Sequence, residues 1–338
     1  MYLKANEKQV IIAIQNLKRK NGGMTHKELE DFGNMFFCSY KLDWEKAIAN
    51  LLSKQMIELK NNTYSICCNF NKLAETLTRK YPRLRYWYNH WYSLGMKSEA
   101  HSRLCQAAYG VDLCQTGMIT LKQIEYIIQN YIEEKKTCLD MGCGLGLISE
   151  YISGRTLCKI SGIDVIASAI RNARKRTINK REYLEFYLSN MTKYFKEEVN
   201  NKYDYIFFFD TVYFLADQFS EVIPDAIRAL NKNGKILIFY SAWNPKDSGL
   251  SAGSTKLADY LNNEGYKYKT VDFTEDERRH WQIKKETLMN LEDSFLTEGN
   301  KIIYTNRMME ADFFTNMMME DKLYRYLYVL EETVSEFV

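Results

Sequence analysis

Apolar residues at Val10, Ile11, Ile14 and Leu17 recur every three or four positions and predict a helix over 7–20, closed by Asn21-Gly22-Gly23. Thr25 and Glu28 form a capping-box pattern that opens a second helix reaching Asp31. A third, over 43–54, carries Trp44, Ile48, Leu51 and Leu52 at helical spacing. The runs 56–60 and 63–67 flank Asn61-Asn62, a hairpin signal. Three helices and a hairpin make a small α+β domain over 1–80. Segment 81–136 reads as an aromatic-rich helical connector. Its helices cover 98–109, broken by Gly110 and Asp112, and 120–131, with the turn Cys114-Gln115-Thr116-Gly117 between them.

Beyond 137 the period changes. Short apolar runs at 137–141, 158–165, 184–190, 203–211, 235–240 and 266–274 alternate with helical patterns at 147–152, 166–178, 223–230 and 257–263. The run 203–211 is apolar almost throughout, as a strand buried on both faces requires. Such alternation predicts an α/β fold with a doubly wound parallel sheet over 137–338. Residues 275–321 interrupt it as a helical insert, and 322–330 supply the last strand.

Composition narrows the picture little. A hydrophobic share of 46% suits a globular core, and a net charge of +3 among 338 residues argues for neither nucleic acid nor membrane as a partner. No apolar run reaches the roughly 18 residues of a membrane span, and the N-terminus lacks a signal-peptide block. The 8 cysteines show no C-x-x-C pair and read as reduced, buried thiols of a cytoplasmic protein.

The candidate chemistry sits at Asp140-Met-Gly-Cys-Gly-Leu-Gly146, between a strand and a helix. Glycines 142, 144 and 146 permit a ligand to lie close to backbone. A dinucleotide fingerprint needs its third glycine at position 147, which is Leu147. Asp-x-Gly-x-Gly-x-Gly instead resembles the first motif of class I S-adenosylmethionine-dependent methyltransferases, and the resemblance covers roughly 98–331. It implies a seven-stranded Rossmann-like sheet with S-adenosylmethionine as cofactor. The 1–80 domain then resembles the winged-helix-like N-terminal domain of small-molecule methyltransferases, which allows a homodimer.

That resemblance places cofactor-binding residues along the chain. They are Asp140, Gly142, Gly144 and Gly146 at the turn, then Asp164 and Val165 at the end of the second strand. Ser189, Asn190 and Met191 follow the third strand, where many members carry an acid that this chain lacks. Asp210 and Thr211 follow the fourth. Tyr109, Gln115 and Gly117 belong to the cap ahead of the sheet. An acid at Asp164 suits a ribose cis-diol, because one carboxylate accepts two hydrogen bonds; the same residue is placed to cap the next helix.

Methyl transfer needs alignment first, and a base only where the acceptor must lose a proton. The candidate bases are His280, in the insert between Arg279 and Trp281, then Tyr213, His101 and Tyr109. No cluster has metal-ligand spacing. The expected activity is methyl transfer to N or O of a small organic molecule, aromatic or cationic. The runner-up readings are a winged-helix regulator and a nucleic-acid-directed methyltransferase. Asp43 and Glu45 at the start of the third helix oppose DNA contact. The stretch 81–92 interleaves aromatic residues with Arg83, Arg85 and His90, a pattern fit for stacking bases, for a buried connecting helix, or for lining a substrate pocket. The insert reads as a lid or as a surface-packed helix pair.

Overall fold

Seven strands form the central sheet, and each is short, apolar and bounded by turn residues. In a computed structural model describing residues 3–21, 24–30, 44–80, 83–195, 202–215, 219–243 and 249–331, these strands are β4 (Thr137–Met141), β5 (Lys159–Asp164), β6 (Leu184–Leu188), β7 (Tyr203–Phe209), β8 (Leu230–Trp243), β9 (Tyr268–Asp272) and β10 (Leu323–Glu331). Their order is β6-β5-β4-β7-β8-β10-β9. The strands β6, β5, β4, β7 and β8 run parallel. β10 runs antiparallel between β8 and β9, pairing Tyr326 with both Tyr240 and Asp272.

The alternation of side chains across the sheet builds two cores. One face gathers Leu139, Ile206, Phe208, Ile236, Ile238 and Tyr328 against Ala226 and Leu261. Those two residues lie on the helices Ile223–Arg228 and Lys256–Asn263. The other face gathers Cys138, Phe207, Phe209, Leu237, Phe239 and Leu327 against Ile124, Ile152 and Ile170. These belong to the helices Leu121–Asn130, Leu147–Thr156 and Ala167–Arg176. Burial on both faces explains why β7 has no polar alternation. β8 begins earlier than its apolar run, because Leu230 still pairs with Tyr203 across a bulge.

The chain forms two compact units, Met1–Leu94 and Gly95–Val338. The stretch 81–136 is divided between them. In the first unit, α1 (Ala5–Asn21), α2 (Glu45–Ser53) and α3 (Asn71–Lys80) accompany a three-stranded antiparallel sheet, β1 (Met24–Thr25), β3 (Thr63–Ile66) and β2 (Ile57–Lys60) in that order. Val10, Ile14, Trp44, Ile48 and Leu51 fill its core. The Thr25–Glu28 capping box forms, with Thr25 N donating to Glu28 Oε2 at 2.8 Å. Gly22, Gly23, Asp31, Cys38, Asp43, Tyr81 and Pro82 lie outside the described residues, as do the side chains of Arg83, Arg85 and His90. The aromatic stretch is the helix α4 (Arg83–Gly95).

In the second unit, α5 (Glu99–Tyr109) precedes the sheet, and two long helices occupy the insert between β9 and β10. These are α12 (Thr274–Thr297) and α13 (Lys301–Met319), following α6 to α11 in chain order: Leu121–Asn130, Leu147–Thr156, Ala167–Arg176, Met191–Tyr194, Ile223–Arg228 and Lys256–Asn263. Among the described residues no helix is long and apolar enough to cross a membrane.

Candidate functional site

The glycine turn leaves β4 at its carboxyl end, the edge where open α/β sheets bind ligands. Gly142, Gly144 and Gly146 all have positive φ, at 89°, 54° and 69°. A Cβ on Gly142 would lie 2.5 Å from Thr211 Cγ2, and one on Gly146 2.4 Å from Phe186 Cε1. Both positions therefore require glycine for conformation and for space. Asp140 is buried beneath the turn, and Ser149 Oγ donates to its Oδ2 at 2.5 Å. Burial raises its carboxyl to about 7. Asp164, at the end of β5, accepts from Gly144 N at 2.9 Å and from Ile166 N at 2.8 Å. Burial raises this carboxyl too, against those backbone donors. Val165 follows it, half-buried.

At the end of β6, Ser189 N donates to Asp164 O at 3.0 Å. Asn190 Oδ1 accepts from Thr192 N at 2.9 Å and caps α9, which begins at Met191. The carbonyl that sequence offered as an adenine acceptor already serves a helix terminus.

At the end of β7 the backbone of Asp210 is left-handed, with φ 57°. A non-glycine residue bears a cost of about 1 kcal/mol there. Arg325 of β10 holds it with two hydrogen bonds, Nη1 to Oδ1 at 2.7 Å and Nη2 to Oδ2 at 3.2 Å. Met118 N also donates to Oδ2, at 2.7 Å. Asp210 thus ties the strand end to the segment 115–118. Arg325 donates further to Ser241 Oγ and Gln123 Oε1, with Glu277 3.5 Å away. Removing one partner of so buried a pair costs about 3–5 kcal/mol. Thr211, the next residue, has a buried hydroxyl with no hydrogen-bond partner among the described residues. Tyr213 accepts from Ser241 N and stacks on Tyr240 at 5.2 Å.

The insert grips the cap at both ends of α5. Glu298 accepts from Ser98 Oγ at 2.5 Å and Ala100 N at 2.7 Å, at the positive end of that helix. His280 Nδ1 meets Ala108 O at 2.8 Å, at the opposite end. Arg307 Nη2 donates to Gln115 O at 2.8 Å, and its Nη1 to Thr116 O at 3.4 Å. Lys284 Nζ donates to Tyr109 Oη at 3.2 Å, and Tyr109 donates to Gly117 O at 3.1 Å. Gln115 keeps its side chain inside the loop, bonded to Leu113 N and Val111 O.

The structure therefore brings Asp140, the three glycines, Asp164 and Thr211 together at one turn, with Tyr109, Gly117 and Asp210 joined beside it. His101 is buried on α5, its Nδ1 3.1 Å from Cys105 Sγ. Burial lowers both His101 and His280 to about 3. They are neutral imidazoles at physiological pH and weak proton acceptors. Burial likewise pushes the Tyr109 and Tyr213 phenols up.

A family model described as a methyltransferase domain matches residues 132–322. The chain belongs to this methyltransferase family. With its sheet order, it has the fold of the class I S-adenosylmethionine-dependent enzymes. Phosphoethanolamine N-methyltransferase 1 of Arabidopsis thaliana is 24% identical over 210 residues, covering 62% of this chain and 40% of that protein. The match thus spans less than half of the relative. Phosphoethanolamine N-methyltransferase 2 of Haemonchus contortus, solved with phosphomonomethylethanolamine and S-adenosylhomocysteine, superposes with TM-score 0.57 at 13% identity. It covers 86% of this chain and 74% of that one. The cyclopropane synthase MmaA2 of Mycobacterium tuberculosis superposes with TM-score 0.54 at 12% identity, over 70% of this chain and 95% of that one. These structural likenesses show the methyltransferase fold.

Several residues of the networks around the glycine turn and the cap escape a reading of the sequence. Ser149, Glu277, Lys284 and Glu310 have no motif around them. Arg325 left a signal: it is the one cation inside the apolar run of β10, and an isolated charge in a buried strand demands a buried partner.

Proposed function

We propose that this chain transfers a methyl group from S-adenosylmethionine to nitrogen or oxygen of a small organic molecule, with an amine as the first acceptor to test. The glycine turn carries this reading. It is a glycine backbone with three positive φ angles, framed by Asp140 and Asp164, beside a Thr211 hydroxyl that has no hydrogen-bond partner among the described residues. A nucleoside cofactor suits this place, because the turn lies at the carboxyl edge of the sheet, where such ligands bind, and Thr211 keeps a hydrogen bond to give. The curated relatives, named as phosphoethanolamine N-methyltransferases, support an amine acceptor.

In this reading Asp164 receives the ribose hydroxyls while its backbone donors fix the carboxylate in place. Gly142, Gly144 and Gly146 approach the cofactor through their main chain, and Val165, Ser189, Asn190 and Met191 border the base. Tyr109, Gln115 and Gly117 cover the methionine end, held by Arg307 and Asp210. The cofactor supplies an electrophilic methyl on a sulfonium, which leaves alignment and exclusion of water to the chain. Neutral His280 and His101 then shape and hydrogen-bond the site rather than remove a proton, and Tyr213 braces the β8 end through Ser241.

The test is calorimetric titration with S-adenosylhomocysteine, followed by transfer of labelled methyl to a panel headed by phosphoethanolamine and other small amines. Asp164→Ala should weaken cofactor binding by about tenfold or more, as loss of charge-assisted hydrogen bonds does. A folded protein that binds no S-adenosylhomocysteine removes the reading.

A further inference from the structure

The buried arginine of β10 is joined to the cap at two points. Arg325 is fully buried, and its fork holds both carboxylate oxygens of Asp210, Nη1 on Oδ1 at 2.7 Å and Nη2 on Oδ2 at 3.2 Å. Asp210 Oδ2 in turn accepts from Met118 N at 2.7 Å. The remaining edge of the guanidinium reaches the far end of the same segment. Its Nε donates to Gln123 Oε1 at 3.0 Å, in the first turn of α6. Gln123 completes the capping box of that helix with Thr120. The chain therefore passes from the turn 115–118 into α6 between two groups that one side chain orients.

The turn is seated closely on this pair. A Cβ on Gly117 would lie 2.9 Å from Asp210 Oδ2 and 3.2 Å from Asp210 Cβ. The turn's carbonyls have other partners: Arg307 donates to Gln115 O and Thr116 O, and Tyr109 to Gly117 O. Its amide at Met118 is the group given to Asp210. The next residue in the chain, Thr211, places its Cγ2 where a Cβ on Gly142 would come within 2.5 Å. One carboxylate thus fixes the cap turn a single residue away from the contact with the glycine turn.

A buried ion pair is a poor way to stabilise a strand. Desolvation offsets much of its Coulomb energy, and apolar side chains of similar volume often serve stability as well or better. Every other buried residue of β10 is aliphatic or aromatic. What the pair provides is geometry, because a planar fork on two oxygens fixes the orientation of the carboxylate. We propose that Arg325 is a positioning residue for methyl transfer: through Asp210 it seats the turn 115–118 over the methionine end of S-adenosylmethionine. This rests on the methyltransferase reading of the glycine turn and gives the last strand of the sheet a part in it. In this role Arg325 acts on the cofactor only through the residues it orients.

The test is a double-variant cycle on S-adenosylhomocysteine binding, read by calorimetric titration of the full chain. Arg325→Lys keeps the buried charge and loses the fork. Gly117→Ala aims a methyl group at Asp210 and leaves the ion pair unaltered. Each should weaken binding at least about tenfold. The double variant should lose no more than about threefold beyond Arg325→Lys alone, because a carboxylate released from its fork yields to the methyl group. Ser241→Ala removes another bond of Arg325, at Nη1, that leads away from the turn. It should lower the urea midpoint and keep S-adenosylhomocysteine affinity within about threefold of the parent. A smaller loss from either folded single variant overturns the proposal, as does a larger loss from the double variant or from Ser241→Ala. Where Arg325→Lys does not fold, Gly117→Ala decides. Its tenfold loss must then come with faster amide exchange over 115–123 and unchanged exchange in β4 and β7, and any other result overturns the proposal. With S-adenosylhomocysteine bound by the parent chain, these failures leave the methyltransferase reading standing. A parent chain that binds none removes both.

Discussion

At Gly142 a single methyl group meets two obstacles, a φ of 89° and Thr211 Cγ2 at 2.5 Å. Gly142→Ala should cost about 1–3 kcal/mol of stability in urea unfolding. It should also weaken S-adenosylhomocysteine binding more than tenfold, by an estimate from a lost close backbone approach. Asp140 makes a prediction of a different kind. Its carboxyl is raised from 3.8 to about 7 by burial, so the folded state holds the proton more tightly than the unfolded chain. The resulting stabilisation is complete below pH about 4, declines as pH rises through the folded value, and is gone above it. Asp140→Asn keeps the oxygen that Ser149 donates to but cannot ionise. The difference in unfolding free energy between the parent and this variant should therefore change across pH 4–7 and level off above, in matched chemical denaturation at each pH.

The helices α12 and α13 hold α5 by complementary groups, a carboxylate at its amino end and an imidazole at its carboxyl end. That makes the insert a brace for the cap. Glu298→Ala should lower stability by about 1 kcal/mol, the usual value of a helix-end acceptor. Amide hydrogen exchange should then speed up over 99–109 more than in the central strands β4, β7 and β8. A uniform change across the sheet would count against a local cap. The strands themselves depend less on such contacts. β7 is buried except at Asp204 and β10 except at Glu331, and their register follows from apolar faces on both sides.

On the scale of the whole molecule, every residue assigned to the cofactor or acceptor lies in the unit Gly95–Val338. A chain beginning at residue 95 should bind S-adenosylhomocysteine with an affinity within a few-fold of the full-length protein, a difference below about 1 kcal/mol. The measurement is the same titration on both chains, with circular dichroism to verify folding. Loss of binding by a folded 95–338 chain would place part of the site in the first unit. The unit boundary at Leu94 falls within the stretch 81–136, and helical periodicity says nothing of which core a helix joins.

Local pattern was enough for the sheet and the glycine turn, because strand periodicity and turn spacing act over a few residues, and the family resemblance of that turn implied the cofactor class. So the sequence alone determined that Asp140 to Gly146 is a glycine-rich turn between strand and helix, and that strands and helices alternate around it. The tertiary structure decided what the charges do. Asp210 and Arg325 are 115 residues apart, and Lys284 and Glu310 are 26 apart on two different helices. Asp210, expected from the sequence as a cofactor contact, pairs in the fold with Arg325 and Met118 N. Glu310, which no motif marks, pairs with both Lys284 and Arg307. Both outcomes follow from desolvation: a buried charge must find its partner, and only the folded chain determines which partner is within reach.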